Sequence, residues 1–85
     1  MYTRTVTVGS AVGLHARPAA LISAAAGELD STVTIGLAGG NAVDASSALL
    51  IMTLGAKKGD EVEVSGDDQG DVDTIAAMVE QDLDA

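Results

Sequence analysis

The stretch TRTVTVGSAVGLHARPAALISAAAGEL, residues 3–29, contains two different patterns separated by a glycine-bounded break. In its first part, Thr3 to Val8, β-branched residues nearly alternate with others, which is typical of a strand with one buried face. Its last part, Ala16 to Leu29, is rich in helix formers and has Gly27 as a stop near its end. The stretch therefore predicts a strand followed by a helix.

The middle of the chain predicts a hairpin and a short helix. Thr32 to Leu37 alternates, and Ala42 to Asp44 returns as its partner after a glycine-rich turn. Ser46 and Ser47 then precede an apolar run, Ala48 to Leu54, that ends at a glycine. A cap residue, an apolar run and a glycine stop together indicate a helix of two turns.

The last third predicts a strand and a helix separated by a loop. Glu61 to Ser65 alternates acid with valine, and Gly66 to Gly70 is acidic and bounded by glycines. The apolar residues that follow recur at helical spacing; they are Val72, Ile75, Ala76, Val79 and Leu83. The order β-α-β-β-α-β-α predicts an α+β fold, with three helices on one face of a four-stranded antiparallel sheet whose other face is open to water.

Length and composition limit the class of protein. The 85 residues predict a single domain, residues 1–85, with one small core. The chain has no cysteine and one histidine, which excludes a disulfide framework and argues against a closed transition-metal site, so we expect no metal and no cofactor. No apolar run is long enough to span a membrane, and no secretory signal is visible, so we expect a cytoplasmic protein without membrane insertion.

The charge balance limits the class of partner. Thirteen acids against four cations give a net charge of −9 at pH 7. Nucleic acids and anionic membranes carry the same sign of charge and are not expected as partners. Because salt screens the self-repulsion of such a domain, a salt-rich cytoplasm is a further hypothesis.

The hexapeptide GLHARP, Gly13 to Pro18, contains the only histidine and the only proline of the chain. Proline is tolerated in the first turn of a helix, so His15 falls at or just before the helix start. The backbone amides of Ala16 and Arg17, with the positive end of the helix dipole, then form a site for an anion. The Arg17 guanidinium can bind phosphate oxygens in a bidentate way. An imidazole at this place can attack phosphorus, and the added negative charge is stabilised there.

Other chemistries fit these residues less well. A serine triad is not predicted, because His15 is the only base available to activate Ser10 or Ser47. The chain lacks a Walker-type motif, so direct use of a nucleotide is unsupported. Two interpretations stay open: transfer of a phosphoryl group from another phosphoprotein, and a non-catalytic anion-binding regulatory module that uses the same helix start without forming a P–N bond.

The segment GLHARPAA, Gly13 to Ala20, closely resembles the active-site signature of the HPr family, the histidine phosphocarriers of the phosphoenolpyruvate-dependent phosphotransferase system. Ser47 to Gly55 resembles the second, regulatory segment of that family, and the similarity spans nearly the whole chain. The resemblance implies an open-faced β-sandwich and a monomer that is not itself an enzyme. It also implies that His15 accepts phosphate on Nδ1, the pros nitrogen, from Enzyme I and donates it to sugar-specific Enzyme II A-domains, while Arg17 stabilises the phosphoryl group.

The resemblance implies two further roles. Ser47 stands where relatives often have a serine that a dedicated HPr kinase phosphorylates, with Ser46 one position earlier; the alternative role for Ser47 is a helix N-cap. Ala20, Leu49 and Met52 are expected on a docking surface that the first helix and the short helix share. A regulatory carrier, or one linked to a dihydroxyacetone kinase, would use the same chemistry with another acceptor.

Some residues depart from the family pattern. Val12 replaces the small or polar residue that is common before the signature glycine. The first helix has Ser23 and Glu28 where many relatives have lysines, which predicts docking through apolar contact. Asp82 and Asp84 oppose the dipole of the last helix, and we expect them to be solvated.

Overall fold

The computed structural model describes residues 1–83 and has seven elements in the predicted order. Asp84, expected to be solvated, lies outside the described residues. The helices are α1 (Ala16–Gly27), α2 (Ala48–Thr53) and α3 (Gln69–Glu80). The strands are β1 (Tyr2–Thr7), β2 (Val33–Leu37), β3 (Val43–Asp44) and β4 (Glu61–Gly66).

The four strands form one antiparallel sheet in the order β1-β4-β2-β3. In the central strand β4, Val62 lies opposite Val6 of β1 and Leu37 of β2. Because side chains alternate across a strand, the valines of β4 face the core while Glu61 and Glu63 face the open side. The predicted α+β open-faced sandwich is confirmed.

The helices cover one face of this sheet and enclose an aliphatic core. Helix α3 packs on β1 and β4, and α1 packs on α2 and α3. The chain's single aromatic residue, Tyr2, is half exposed, so the core is built from branched aliphatic and small side chains. Its largest fully buried aliphatic members are Leu14, Ile22, Ile35, Ile51 and Ile75.

The start of α3 differs from the sequence-based expectation. The predicted loop, Gly66 to Gly70, is shorter, because Gly66 ends β4 and Gly70 lies inside the first turn of α3. Asp68 caps this helix: its side chain accepts a hydrogen bond from the amide of Asp71 at 3.0 Å. The cap outweighs the low helix propensity of Gly70. Leu83, predicted on the helical stripe, is half-buried beyond the helix end.

Across residues 1–83, none of the helices combines the length and the apolarity that crossing a membrane would require.

Candidate functional site

His15 is the N-cap of α1, as expected, with extended backbone angles of φ −100° and ψ −160°. Its carbonyl accepts the amide of Ala19 at 2.8 Å, which begins the helix. Its imidazole is exposed and makes no capping hydrogen bond. The backbone role of His15 thus leaves its ring accessible to a reaction partner.

The first turn of α1 favours an anion. It contains no acidic residue, so no carboxylate opposes the positive end of the helix dipole. Ala16 and Arg17 are exposed at this turn, while Pro18 is buried and fixes the start of the helix against the core. The structure therefore brings together the three predicted residues of the phosphate site: His15, Ala16 and Arg17.

The loop before His15 is fixed on the chain that follows α2. Gly13 has a φ of +75°, a region that favours glycine, and its amide donates to the carbonyl of Ser10 at 2.9 Å. A Cβ atom at Gly13 would lie 2.4 Å from the carbonyl oxygen of Ala56. Leu14 is buried, and its amide donates to the same oxygen at 2.9 Å. These contacts hold the entry to α1 in one place.

On its other side, the loop contacts the end of α3, which the sequence did not reveal. Ser10 is the only buried polar side chain among residues 1–83. Its hydroxyl donates to the carbonyl of Gln81 at 3.2 Å and accepts from the amide of Leu83 at 3.1 Å. Asp82 is exposed as predicted, but its carboxylate also accepts the amide of Ala11 at 3.4 Å. No local pattern signals these contacts, because the partners are more than 70 residues apart.

The two adjacent serines before α2 have different roles. Ser47 is the N-cap, and its hydroxyl accepts from the amide of Leu50 at 3.2 Å. The amide and the hydroxyl of Ser46 both donate to Oδ1 of Asp44, at 2.9 and 2.7 Å. The amide and then the hydroxyl bond lower the pKa of Asp44 below its ordinary value of 3.8. The predicted capping role of Ser47 is confirmed.

The expected docking residues lie on α1 and α2, which pack against each other. Ala20 is exposed one turn after Ala16, Leu49 is 69% exposed, and Met52 is half-buried. Three more large apolar side chains are substantially exposed on α1, on α2 and in the loop before α1: Val12, Leu21 and Leu50. Exposed apolar side chains therefore lie on both helices and in the loop before His15.

Charge is absent from this surface except at one residue. Arg17 is the only charged residue within α1 and α2, although the whole chain has a net charge of −9. Within residues 1–83, the acids lie in β3, in β4, in α3 and in the loops and chain that connect or follow these elements. Within residues 1–83, no three carboxylate or imidazole groups are arranged to hold a metal ion. The geometry therefore combines an accessible imidazole, a cation and an apolar surround.

The chain is similar to known phosphocarriers over almost its whole length. A family model described as "PTS HPr component phosphorylation site" matches residues 2–81. The phosphocarrier protein HPr of Streptomyces coelicolor is 39% identical over 87 residues, which cover 99% of this chain and 94% of that protein. The HPr of Pseudomonas putida is 36% identical over 80 residues, covering 94% of this chain and 89% of that protein.

A solved structure, HPr-C-His from Thermoanaerobacter tengcongensis, matches with a TM-score of 0.87 and 27% identity over 100% of this chain and 98% of that chain. Fold and sequence thus agree. The chain belongs to the HPr family of phosphocarrier proteins of the phosphotransferase system.

Proposed function

We propose that this domain carries a phosphoryl group on Nδ1 of His15, accepting it from phospho-Enzyme I and passing it to Enzyme II A-domains. One observation carries the proposal: an exposed imidazole without a capping bond stands at the start of a helix whose first turn has no acid. A group in this position can react and then meet partners in turn. The domain would turn over only between partners and would not be an enzyme by itself.

The transfer requires two displacements at phosphorus. In the first, the lone pair of Nδ1 forms a P–N bond, while the bond from phosphorus to the donor breaks and leaves its electron pair on the donor. In the second, a nucleophile of the acceptor forms the new bond to phosphorus, and Nδ1 recovers its lone pair. His15 therefore ends the cycle unchanged.

The first turn of α1 stabilises the carried group. Phosphoryl oxygens on His15 would accept hydrogen bonds from the amides of Ala16 and Arg17, and the helix dipole favours their charge. The Arg17 guanidinium, exposed on the same turn, adds a charged donor. Exposed contacts of this kind hold the phosphoryl group without trapping it.

Docking would use the apolar surface around this turn. Ala20, Leu49 and Met52 lie on the two helices that carry a single charge, so contact with Enzyme I and the A-domains would depend on burial of apolar area. Methionine adapts to several partners because its side chain is unbranched and flexible. We therefore expect recognition that tolerates salt.

Ser47 is the proposed site of regulation by an HPr kinase. Phosphate on its hydroxyl would place negative charge beside the docking surface and slow the approach of a phosphorylated partner. A phosphate oxygen would then replace the Ser47 hydroxyl as the acceptor of the hydrogen bond from the amide of Leu50. Ser46, whose hydroxyl is held by Asp44, is the other candidate.

We also propose that the domain works in a salt-rich cytoplasm. Its acids outnumber its cations by thirteen to four, so salt should relieve self-repulsion and raise the free energy of unfolding. Denaturation curves at low and at molar salt test this; equal midpoints would remove the proposal.

The carrier proposal is tested by intact-protein mass. The wild-type chain and His15→Ala are incubated with phosphoenolpyruvate and the cognate Enzyme I, then measured before and after mild acid. We expect one phosphate on the wild type, lost in acid, and none on His15→Ala.

Two outcomes would contradict it. No phosphate on the wild type, with Enzyme I shown to be active, would favour a non-catalytic anion-binding module. An acid-stable phosphate that His15→Ala retains would move the reaction to Ser47.

A further inference from the structure

The loop between β1 and α1 is hydrogen-bonded to the end of α3 by three consecutive residues. The amide of Gly9 donates to the carbonyl of Val79 at 3.0 Å. The hydroxyl of Ser10 bonds to Gln81 and Leu83, and the amide of Ala11 donates to the carboxylate of Asp82. A continuous run of loop residues therefore satisfies groups at the carboxyl end of α3, where helical carbonyls lack intrahelical partners. These residues, Val79 to Leu83, are called the α3 end below.

Contact between the loop and the α3 end is close. A Cβ atom at Gly9 would lie 2.0 Å from the carbonyl oxygen of Glu80, so only glycine fits at that position. Ser10 is fully buried, and its hydroxyl is used both as a donor and as an acceptor. Removing that hydroxyl would take away the partner of the Gln81 carbonyl and of the Leu83 amide, both in part-buried hydrogen bonds.

The same residue also begins the turn that leads to the histidine. The carbonyl of Ser10 accepts the amide of Gly13 at 2.9 Å, and Gly13 takes the left-handed angle that directs the chain into Leu14 and His15. Ser10 therefore forms hydrogen bonds to the α3 end through its side chain and to the turn before His15 through its backbone. Ser10 stands five positions before His15 and bonds the turn that leads to it.

We propose that Ser10 is a positioning residue for phosphoryl transfer, and that the α3 end is a supporting part of the His15 site. The inference rests on the proposed function, in which His15 carries the phosphoryl group. In-line displacement at phosphorus requires the attacking nitrogen to be held in a narrow range of positions, and small misplacements reduce rates strongly. Ser10 holds the loop so that His15 presents Nδ1 in that range without touching the phosphoryl group itself.

The test compares Ser10→Ala with the matched control Ser31→Ala. Ser31 is half-buried, and its hydroxyl donates to Asp71 at 2.7 Å, so it ties a loop to the opposite end of the same helix. Each variant is assayed as a phosphate acceptor from phospho-Enzyme I, with kcat and KM separated. Ser10→Ala should lower kcat about tenfold with KM unchanged, because the docking helices are intact. Ser31→Ala should keep wild-type kcat while losing a similar amount of stability.

A second variant keeps the test decisive if Ser10→Ala does not fold. Asp82→Ala removes the exposed carboxylate that accepts the amide of Ala11, so we expect this variant to fold and to lower kcat about threefold. Three results would each overturn the inference. The first is a wild-type kcat in a folded Ser10→Ala chain, and the second is an equal loss of kcat in Ser31→Ala. The third is a wild-type kcat in Asp82→Ala when Ser10→Ala does not fold.

A readout that needs no phosphate separates this inference from the carrier proposal. NMR shifts of the Gly13 amide and of the His15 ring should change in Ser10→Ala and stay unchanged in Ser31→Ala. If the wild type accepts no phosphate, the carrier proposal fails, while these shifts still decide whether Ser10 positions the ring. Unchanged shifts in Ser10→Ala would overturn the positioning role.

Discussion

Helices α1 and α3 each have twelve residues, but they begin in opposite ways. At α3, the side chain of Asp68 accepts the amide of the third helical residue, Asp71. At α1, the third residue is Pro18, which has no amide proton to donate, and the His15 side chain makes no cap. The start of α3 is completed by the side chain of its own capping residue, whereas the side chain of the α1 capping residue makes no such bond.

The two helices also differ in charge. Helix α3 has carboxylates along its length, and two of them, Asp73 and Glu80, form ion pairs with Arg4 at 3.4 and 3.6 Å, which connect α3 to β1. The only charged residue of helix α1 is Arg17. Because an N-cap contributes about 0.5–2 kcal/mol, α1 forgoes stability that α3 obtains. The comparison makes α3 mainly part of the scaffold, while the carrier proposal places the chemistry at the start of α1.

Replacing the reactive residue gives the largest expected effect on transfer. His15→Asn offers the helix a capping side chain that cannot be phosphorylated, so phosphate uptake should fall below detection. Stability should change little, by less than about 0.5 kcal/mol, because Pro18 denies the cap its usual donor. Intact mass and chemical denaturation measure the two quantities. Residual acid-labile phosphate on this variant would contradict the account.

The cation of the first turn should have a smaller effect. Arg17→Gln removes a charged donor, and hydrogen bonds to charged groups contribute about 1.5–3 kcal/mol, so the transfer rate should fall about tenfold or more. Rapid-quench measurement of phosphate uptake gives the rate. An unchanged rate would mean that the amides and the dipole suffice, and would remove Arg17 from the site.

Removing the cap of α3 should lower stability without affecting phosphate transfer. Asp68→Ala should lower the free energy of unfolding by about 1 kcal/mol, because the amide of Asp71 loses its acceptor. For a domain of this size, that corresponds to a melting temperature lower by about 4–8 °C. Phosphate uptake should remain at the wild-type rate. A loss of uptake without a loss of stability would break the division between the two helices.

The smallest effect concerns the turn before α2. Hydrogen bonds from Ser46 lower the pKa of Asp44, so its charged form stabilises the fold above the ordinary pKa of 3.8. That contribution is lost as the pH falls through the lowered pKa of the folded state. Asp44→Asn should therefore be slightly less stable than the wild type at neutral pH. The difference in the free energy of unfolding between the two proteins should disappear as the pH falls through the lowered pKa of Asp44. Denaturation curves from neutral to acidic pH measure this difference.

The element order and the position of His15 at the start of a helix could be predicted because their signals are local. Alternation in Thr3 to Val8 predicted β1, and the proline after His15 placed the start of α1. The serine before α2 was expected as a cap and is one. Each of these depends on residues within about four positions of one another, the range over which backbone propensity and capping act.

What could not be predicted depends on contacts between distant residues. Nothing near Ser10 indicates that its hydroxyl is buried against Gln81 and Leu83. The early start of α3 was missed because Gly70 suggested a loop, whereas packing and the Asp68 cap favour a helix. Tertiary structure decides both cases, and both affect the same helix.

The most direct test follows backbone amides by NMR before and after phosphorylation. If the phosphoryl group on His15 lies at the start of α1, the amides of Ala16 and Arg17 should shift strongly downfield as they bond to its oxygens. The amide of Leu50, already bonded to Ser47 at the start of α2, should stay in place. Unshifted amides at Ala16 and Arg17, or shifts centred on α2, would contradict the account.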